Sequence, residues 1–129
     1  LMKSPPGLRF FLQSHAHTSL LANFNPEGRR KTYKLVADIL ELNADHKGFC
    51  GASWFYDPQL KKISPRLAYL AEEPLVNGAV RFYLEPDRTG SALAKSNTRR
   101  TLYDRGEYIP EKYMLLWHRE KLLAWRDAK

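Results

Sequence analysis

Apolar and polar residues change their spacing along this chain, and the changes predict a succession of strands and helices. Mostly apolar runs of strand length occupy residues 8–15, 48–56, 79–84 and 113–117. Residues spaced as in amphipathic helices occupy 26–42, 64–73, 97–105 and 119–127, with a shorter helix over 91–95. Strands separated by helical crossovers predict an α/β fold. The expected sheet is mixed or mostly parallel, of about four or five strands, with helices on its faces.

The clearest predicted helix begins at Asn25-Pro26-Glu27. Asparagine is a favoured N-cap, proline fits the first helical position, and an acidic side chain suits the positive end of the helix dipole. The apolar stripe that follows consists of Tyr33, Val36, Ala37 and Leu40, widened by Leu35, Ile39 and Leu42. This pattern predicts a core-facing helix that ends near Asn43.

The breaker cluster Ser4-Pro5-Pro6-Gly7 predicts a flexible segment over residues 1–7, followed by a single α/β domain over 8–129. The chain begins Leu1-Met2, so it can be a piece of a longer protein. No apolar run approaches the roughly 20 residues that a membrane-crossing helix needs, and no secretion leader is recognisable. The single cysteine, Cys50, excludes an internal disulfide and fits a reducing compartment. We therefore expect a cytoplasmic protein without a membrane partner.

Composition adds a marked positive charge. The chain has 21 lysines and arginines against 14 aspartates and glutamates, which gives a net charge of +7 and a pI near 9.6. Such a surface attracts phosphates. One hypothesis is therefore a non-enzymatic basic α/β module that binds nucleic acid or an acidic protein partner. The residues that would form its shared patch are Arg29, Arg30, Lys34, Arg99 and Arg100.

The residues around Ser64-Pro65 give the best predicted anion site. Serine followed by proline predicts a helix start with Ser64 as its cap and Arg66 in its first turn. The free amide groups and the dipole at a helix N-terminus attract phosphate. Lys62 lies just upstream. Ser64, Arg66 and Lys62 are therefore the predicted contacts for a phosphate-bearing ligand, and the alternative is a merely solvated basic loop.

Histidine and cysteine residues offer further chemistry. His15 and His17 are spaced to point to the same side of a strand, which would suit a metal-dependent hydrolase. A pair of turn histidines with local hydrogen bonds fits the sequence better, so we expect no metal. Cys50 lies in a predicted buried strand and is expected to act as a small apolar residue rather than as a nucleophile. The spacing does not say whether the two histidines come near Cys50 or His118.

Asp57 ends an unusually aromatic run, Trp54-Phe55-Tyr56. On a strand, Trp54 and Tyr56 would share one face and Phe55 would take the other. The run predicts a core strand that ends in an Asp57-Pro58 turn. The functional alternative is an aromatic wall beside Asp57 acting as an acid, a base or a ligand anchor.

The segment from Asn97 resembles part of the GNAT acyl-CoA N-acyltransferase family, which has a helix of the form Asn-x-x-Ala-x-x-Leu-Tyr-x-x-x-Gly-Phe before a strand. Asn97, Leu102, Tyr103 and Gly106 fall in comparable places, and Tyr108 lies near the aromatic position. The resemblance covers the C-terminal half of the chain. It implies a CoA-dependent N-acyltransferase-like domain, or a catalytically lapsed relative, that uses acetyl-CoA or another acyl-CoA.

The same resemblance implies roles for individual residues. Tyr103 would protonate the departing CoA thiolate, because a phenol keeps its proton at neutral pH. Asp57 or Glu85 would deprotonate the acceptor amine. The glycines of the family's pyrophosphate loop are absent here, so Ser64 and Arg66, with Lys62 nearby, would have to meet the phosphates.

Overall fold

The computed structural model describes residues 11–13 and 25–128. The predicted flexible segment 1–7 lies outside the described residues, as do His15 and His17. In chain order the elements are β1 (Phe11–Gln13), α1 (Pro26–Leu42), β2 (Gly48–Ser53), α2 (Leu60–Ile63), α3 (Tyr69–Val76), β3 (Val80–Pro86), α4 (Ser91–Ala94), α5 (Asn97–Asp104), β4 (Glu111–His118) and α6 (Arg119–Asp127). Short 3-10 turns cover Trp54–Tyr56 and Pro65–Leu67.

The sheet is a small antiparallel unit in which β4 lies between β2 and β3. Phe49 pairs with Trp117 on one side of β4, and Phe82 pairs with Met114 on the other. The three-residue β1 pairs in parallel with the outer edge of β2. The prediction of a mixed or mostly parallel sheet of about four or five strands is wrong, because the sheet consists mainly of three antiparallel strands and β1 adds only three residues at its edge. The helical connection from β2 to β3 does bring the chain back in the same direction, but the last strand inserts between them and runs the opposite way.

Helix α1 follows its prediction closely. Asn25 caps it by accepting a hydrogen bond from the Gly28 N–H at 2.7 Å, and the helix ends one residue before Asn43. The predicted stripe of Tyr33, Val36, Ala37 and Leu40 is buried. The predicted widening is wrong, because Leu35, Ile39 and Leu42 are exposed. The sheet and α6 cover only one side of the helix.

The main core lies between this helix, the sheet and α6. The ring of Tyr33 meets the rings of Phe49, Trp117 and Trp125 edge-on, with centroids 5.7, 5.2 and 6.3 Å away. Such aromatic pairs contribute about 0.5–1.5 kcal/mol each beyond the area they bury. Leu122 of α6 is fully buried in the same core. Packing on this side of the sheet therefore contributes most of the buried apolar contacts of the domain.

The chain after β2 departs from its predicted form. The Ser53 hydroxyl accepts a hydrogen bond from the Phe55 N–H at 3.0 Å and starts a 3-10 turn. Trp54 and Tyr56 consequently do not share a strand face. Trp54 packs in a second, smaller core with Leu60 and Ala92, whereas Tyr56 belongs to the main core.

The predicted helix over 64–73 is divided into a 3-10 turn at Pro65–Leu67 and helix α3. Ser64 caps neither of them, since its side chain accepts no hydrogen bond from a helix-start amide. The predicted helices over 97–105 and 119–127 are confirmed as α5 and α6. Gly106 stops α5 with φ +72°, a left-handed conformation that glycine adopts at little cost. None of the helices in the described part of the chain is long and apolar enough to cross a membrane.

Candidate anion-binding cleft

A cleft of about 700 Å³ opens where the starts of α1 and α5 approach the Pro65–Leu67 turn and α3. We call it the basic cleft. Its lining residues are Asn25, Pro26, Ile63, Ser64, Pro65, Arg66, Leu67, Tyr69, Lys95, Ser96, Asn97, Thr98 and Arg99. Three of them carry charge, Arg66, Lys95 and Arg99, and none of them is acidic. The cleft therefore presents a positive surface that is not offset by carboxylates in its own wall.

Arg99 is the most buried of these cations, with 8% of its surface exposed. Its Nη1 donates to the Ser64 hydroxyl at 2.8 Å, its Nε donates to the Ala92 carbonyl, and its guanidinium lies 4.7 Å from the centre of the Trp54 ring. No described carboxylate forms an ion pair with it. Burial lowers the pKa of Arg99, opposed by the nearby Tyr108 phenol. A buried cation without a counter-charge is costly, and an anionic ligand would offset that cost.

The start of α5 adds uncharged donors to the same wall. Ser96 caps the helix by accepting a hydrogen bond from the Arg99 N–H at 3.2 Å. The first amides of a helix have no intrahelical acceptor. The Asn97 and Thr98 N–H groups therefore lie at the positive end of the helix dipole. Lys95, directly before the cap, is exposed. Cations and free amides therefore meet at one end of the cleft.

A second polar centre adjoins the other end of the cleft. It lines a smaller space that shares Pro26 and Tyr69 with the basic cleft. Arg29 donates from Nη2 to the Tyr56 hydroxyl at 2.8 Å, and its guanidinium lies 4.8 Å from the centre of the Tyr33 ring. Within residues 11–13 and 25–128, its buried Nε has no hydrogen-bond partner, and neither has the buried hydroxyl of Tyr69. Burial raises the pKa of Tyr69, and the Arg29 charge opposes that effect. We call these two groups the Arg29–Tyr69 pair.

Of the residues predicted to bind a cofactor, Ser64 and Arg66 line the basic cleft, whereas Lys62 does not. Lys62 is exposed on α2, on the approach to the turn that carries Arg66. Ser64 contributes as the acceptor for Arg99 rather than as a helix cap. The anion site predicted near Pro65 thus coincides with the cleft through two of its three residues.

The predicted catalytic residues have different surroundings. Tyr103 lies one turn after Arg99 on α5 and is 45% exposed. Asp57 is buried, and its carboxylate accepts hydrogen bonds from the Gln59 N–H at 2.9 Å and from Gln59 Nε2 at 2.8 Å. Burial raises the pKa of Asp57, opposed by these Gln59 donors. No described hydrogen bond or ion pair joins Asp57 to Tyr103, and Asp57 does not line the cleft.

Glu85, the alternative base, forms an ion pair with Lys112 at 2.9 Å on the sheet. The hydrogen bond from Lys112 lowers the pKa of Glu85. This carboxylate is outside the cleft wall as well. The cleft wall therefore contains two of the three predicted phosphate-binding residues, Ser64 and Arg66, but neither Tyr103 nor a predicted base.

The residues of the predicted nucleic-acid patch have separate environments. Arg30 pairs with Glu73 through both carboxylate oxygens, at 3.0 and 2.9 Å, and Arg100 pairs with Asp104 at 3.6 Å. Arg99 is buried and Arg29 is half-buried, while Lys34 is exposed on α1. Two members of the set, Arg29 and Arg99, adjoin the basic cleft.

The remaining candidates contribute no site in the described residues. Cys50 is fully buried in β2, as expected for a small apolar residue. His118, at the end of β4, is exposed. Within residues 11–13 and 25–128, no group of three or more histidines, cysteines and carboxylates is arranged to hold a metal ion.

Sequence reasoning did not identify Tyr69, Lys95 or the cap of α5 as parts of a site. The sequence contains one usable signal, Ser96 before Asn97, because serine is a favoured N-cap and a capped helix start can bind an anion. Nothing local marks Tyr69, whose importance comes from its neighbours in space. Comparison of the chain with protein-family models, with curated proteins and with solved structures gave no match.

Proposed function

We propose that this protein binds a phosphate-bearing small molecule in the basic cleft. The observation that supports the proposal best is the charge of the cleft wall: all three charged lining residues are basic, and one of them, Arg99, is buried without a carboxylate partner. Arg66 and Lys95 are exposed and available to a ligand, and Ser96 orients the start of α5 towards the same space. Phosphate is the anion that such a mixture of arginine, lysine and free amides suits best.

The size of the cleft favours a small molecule over a nucleic acid. Small-molecule sites typically enclose about 300–1,000 Å³, and this cleft of about 700 Å³ falls in that range. A duplex needs cations spread over an open surface, whereas two of the five patch residues pair with carboxylates and Arg99 is buried. A nucleotide-sized ligand therefore fits the observations better. We also propose a cytoplasmic location, because a chain with the single cysteine Cys50 fits a reducing compartment.

Acyl-CoA is the member of this ligand class that the GNAT resemblance implies, and its pyrophosphate is the part that Ser64, Arg66 and Arg99 would meet. Tyr103 would then act as the proton donor, since its exposed ring lies on the same helix as Arg99. If acyl transfer occurs, Tyr103→Phe should lower turnover with acetyl-CoA and leave CoA affinity unchanged. Unchanged turnover in that variant would show that Tyr103 is not the proton donor. It would not contradict the proposal that the cleft binds phosphate.

Titration calorimetry with CoA, ATP and inorganic phosphate tests the binding proposal. Arg66→Ala and Lys95→Ala should each weaken CoA or ATP binding by about threefold to tenfold, because each removes a charge-assisted contact at an exposed position. Lys34→Ala is the matched control, an exposed lysine on the polar side of α1. It should have no effect if the cleft binds the ligand. Absence of binding by the wild type, or an equal loss in Lys34→Ala, would contradict the proposal.

A short duplex DNA and a short RNA provide the test of the alternative. Nucleic-acid binding by the predicted patch should fall steeply with salt and should depend on Lys34. If a salt-sensitive interaction is lost in Lys34→Ala and the phosphate-bearing small molecules do not bind, the basic surface rather than the cleft is the functional feature.

A further inference from the structure

Two buried hydrogen-bond donors beside the basic cleft have no acceptor among the residues that the structure describes: Nε of Arg29 and the hydroxyl of Tyr69. The space between them, which Pro26 and Tyr33 also line, has no room for a water molecule. Solvent therefore does not supply the missing acceptor. Buried donors without partners are uncommon in folded proteins and destabilise them, which makes each such group a candidate contact for a ligand.

The charge around this pair favours an anion over a neutral acceptor. Arg29 is engaged by the Tyr56 hydroxyl and the Tyr33 ring, and no carboxylate in the described part of the chain pairs with it. Glu73 is the one acidic residue that lines the same space, and its two oxygens are taken by Arg30. The pair is thus a cation with an adjacent hydroxyl donor, and the charge of Glu73 is already balanced by Arg30.

The Arg29–Tyr69 pair is continuous with the basic cleft, because Pro26 and Tyr69 line both spaces. The groups around Arg99 lie at the start of α5, whereas Arg29 lies on the second turn of α1. The two centres therefore approach one cavity from different helices. Tyr69 is only partly buried and lines both spaces, so it lies where the two spaces meet.

We infer that the ligand of the basic cleft carries two separate anionic groups, one bound around Arg99, Arg66 and the start of α5, the other bound by the Arg29–Tyr69 pair. This inference rests on the proposed function and specifies its ligand class as a bisphosphate or a phosphorylated acid. Binding of the second group requires the Tyr69 side chain to shift, because the space that it lines with Arg29 is too small for a water molecule. The second anion satisfies both donors at once.

Paired adenine nucleotides test this inference by titration calorimetry. Adenosine 5′-monophosphate supplies one phosphate, and adenosine 3′,5′-bisphosphate supplies two separate ones on the same scaffold. The wild type should bind the bisphosphate about tenfold more tightly, as expected for added charge-assisted hydrogen bonds. Tyr69→Phe should reduce that preference several-fold. Arg29→Met should also reduce the preference for the bisphosphate. If Arg29→Met does not fold, Tyr69→Phe alone still tests the inference.

Tyr108→Phe is the matched control, because the Tyr108 hydroxyl is also buried without a partner but lies outside the cleft wall. It should keep the bisphosphate preference. Equal binding of the two nucleotides by the wild type, or a preference that survives in Tyr69→Phe and Arg29→Met, would overturn the two-anion inference alone. Failure of both nucleotides to bind would overturn the proposed function and this inference with it.

Discussion

The two sides of this domain differ in how they use their side chains. Around Tyr33, large apolar residues from α1, the sheet and α6 are almost completely buried and contact one another. Along the basic cleft and at the adjoining Arg29–Tyr69 pair, helix starts bring together buried or half-buried cations, an unpartnered hydroxyl and free amides. Burial of the apolar core stabilises the folded protein, whereas burial of polar groups without partners destabilises it. That contrast is the physical basis for assigning function to the basic cleft.

The largest predicted effect lies in the main core. Trp117→Ala should destabilise the protein by about 3–5 kcal/mol, because it removes a fully buried ring and leaves a cavity beside Tyr33. Leu42→Ala, at a position 85% exposed on the same structural unit, should change the free energy of unfolding by less than about 0.5 kcal/mol. Urea unfolding measures both. Similar losses in the two variants would contradict the packing described for α1 and β4.

An intermediate effect is expected from the unpartnered tyrosines. Tyr69→Phe and Tyr108→Phe each remove a buried hydroxyl without an acceptor, so each should leave stability unchanged or raise it by up to about 1 kcal/mol. Thermal unfolding without ligand measures this effect. The two variants should differ only when the bisphosphate is present, since only Tyr69 lines the cleft. A clear loss of stability in Tyr108→Phe would show that its hydroxyl has a partner after all.

The smallest effect concerns pH. Burial raises the pKa of Asp57 in the folded protein, and burial together with the Asp57 charge raises that of Tyr108 to about 12. A carboxyl whose folded pKa is raised binds more protons when folded than when unfolded. Its contribution to stability is therefore present below the unfolded pKa and is lost as the pH rises through the folded pKa.

Asp57→Asn removes that titration and keeps a side chain of similar shape. The stability of the wild type relative to this variant should decrease as the pH rises from below about 3.9, the pKa of an unfolded aspartate, towards neutral pH. Urea unfolding of both proteins at several pH values gives the difference. A wild type that gains stability relative to Asp57→Asn over this range would mean that the pKa of Asp57 is lowered.

The sequence predicts the bounds and the buried face of a helix correctly where local signals and burial agree. Asn25 and the stripe from Tyr33 to Leu40 determine α1, and Gly106 marks the end of α5. The order of the strands was not predictable, because no local pattern says that β4 inserts between β2 and β3. The turn at Trp54–Tyr56 was missed since the Ser53 hydroxyl, rather than any periodicity, starts it.

The candidate site was predictable only in part, for a similar reason. Ser64 and Arg66 were identified from a helix-start pattern that the structure does not contain, yet both line the cleft. Their site depends on Arg99, which lies 35 residues away from Ser64 in the chain and reaches its hydroxyl from α5. The Arg29–Tyr69 pair is likewise formed by residues from two helices. Such contacts are tertiary, and one sequence does not encode them in any local pattern.

The most direct test of the central claim is calorimetric titration of adenosine 3′,5′-bisphosphate into the wild type and into the double variant Arg66→Ala/Lys95→Ala. Both substituted positions are exposed, so the variant should remain folded. The account predicts saturable binding by the wild type and a loss of about tenfold or more in the double variant, as expected for removal of two charge-assisted contacts. No binding by the wild type, or equal affinity in both proteins, would contradict it.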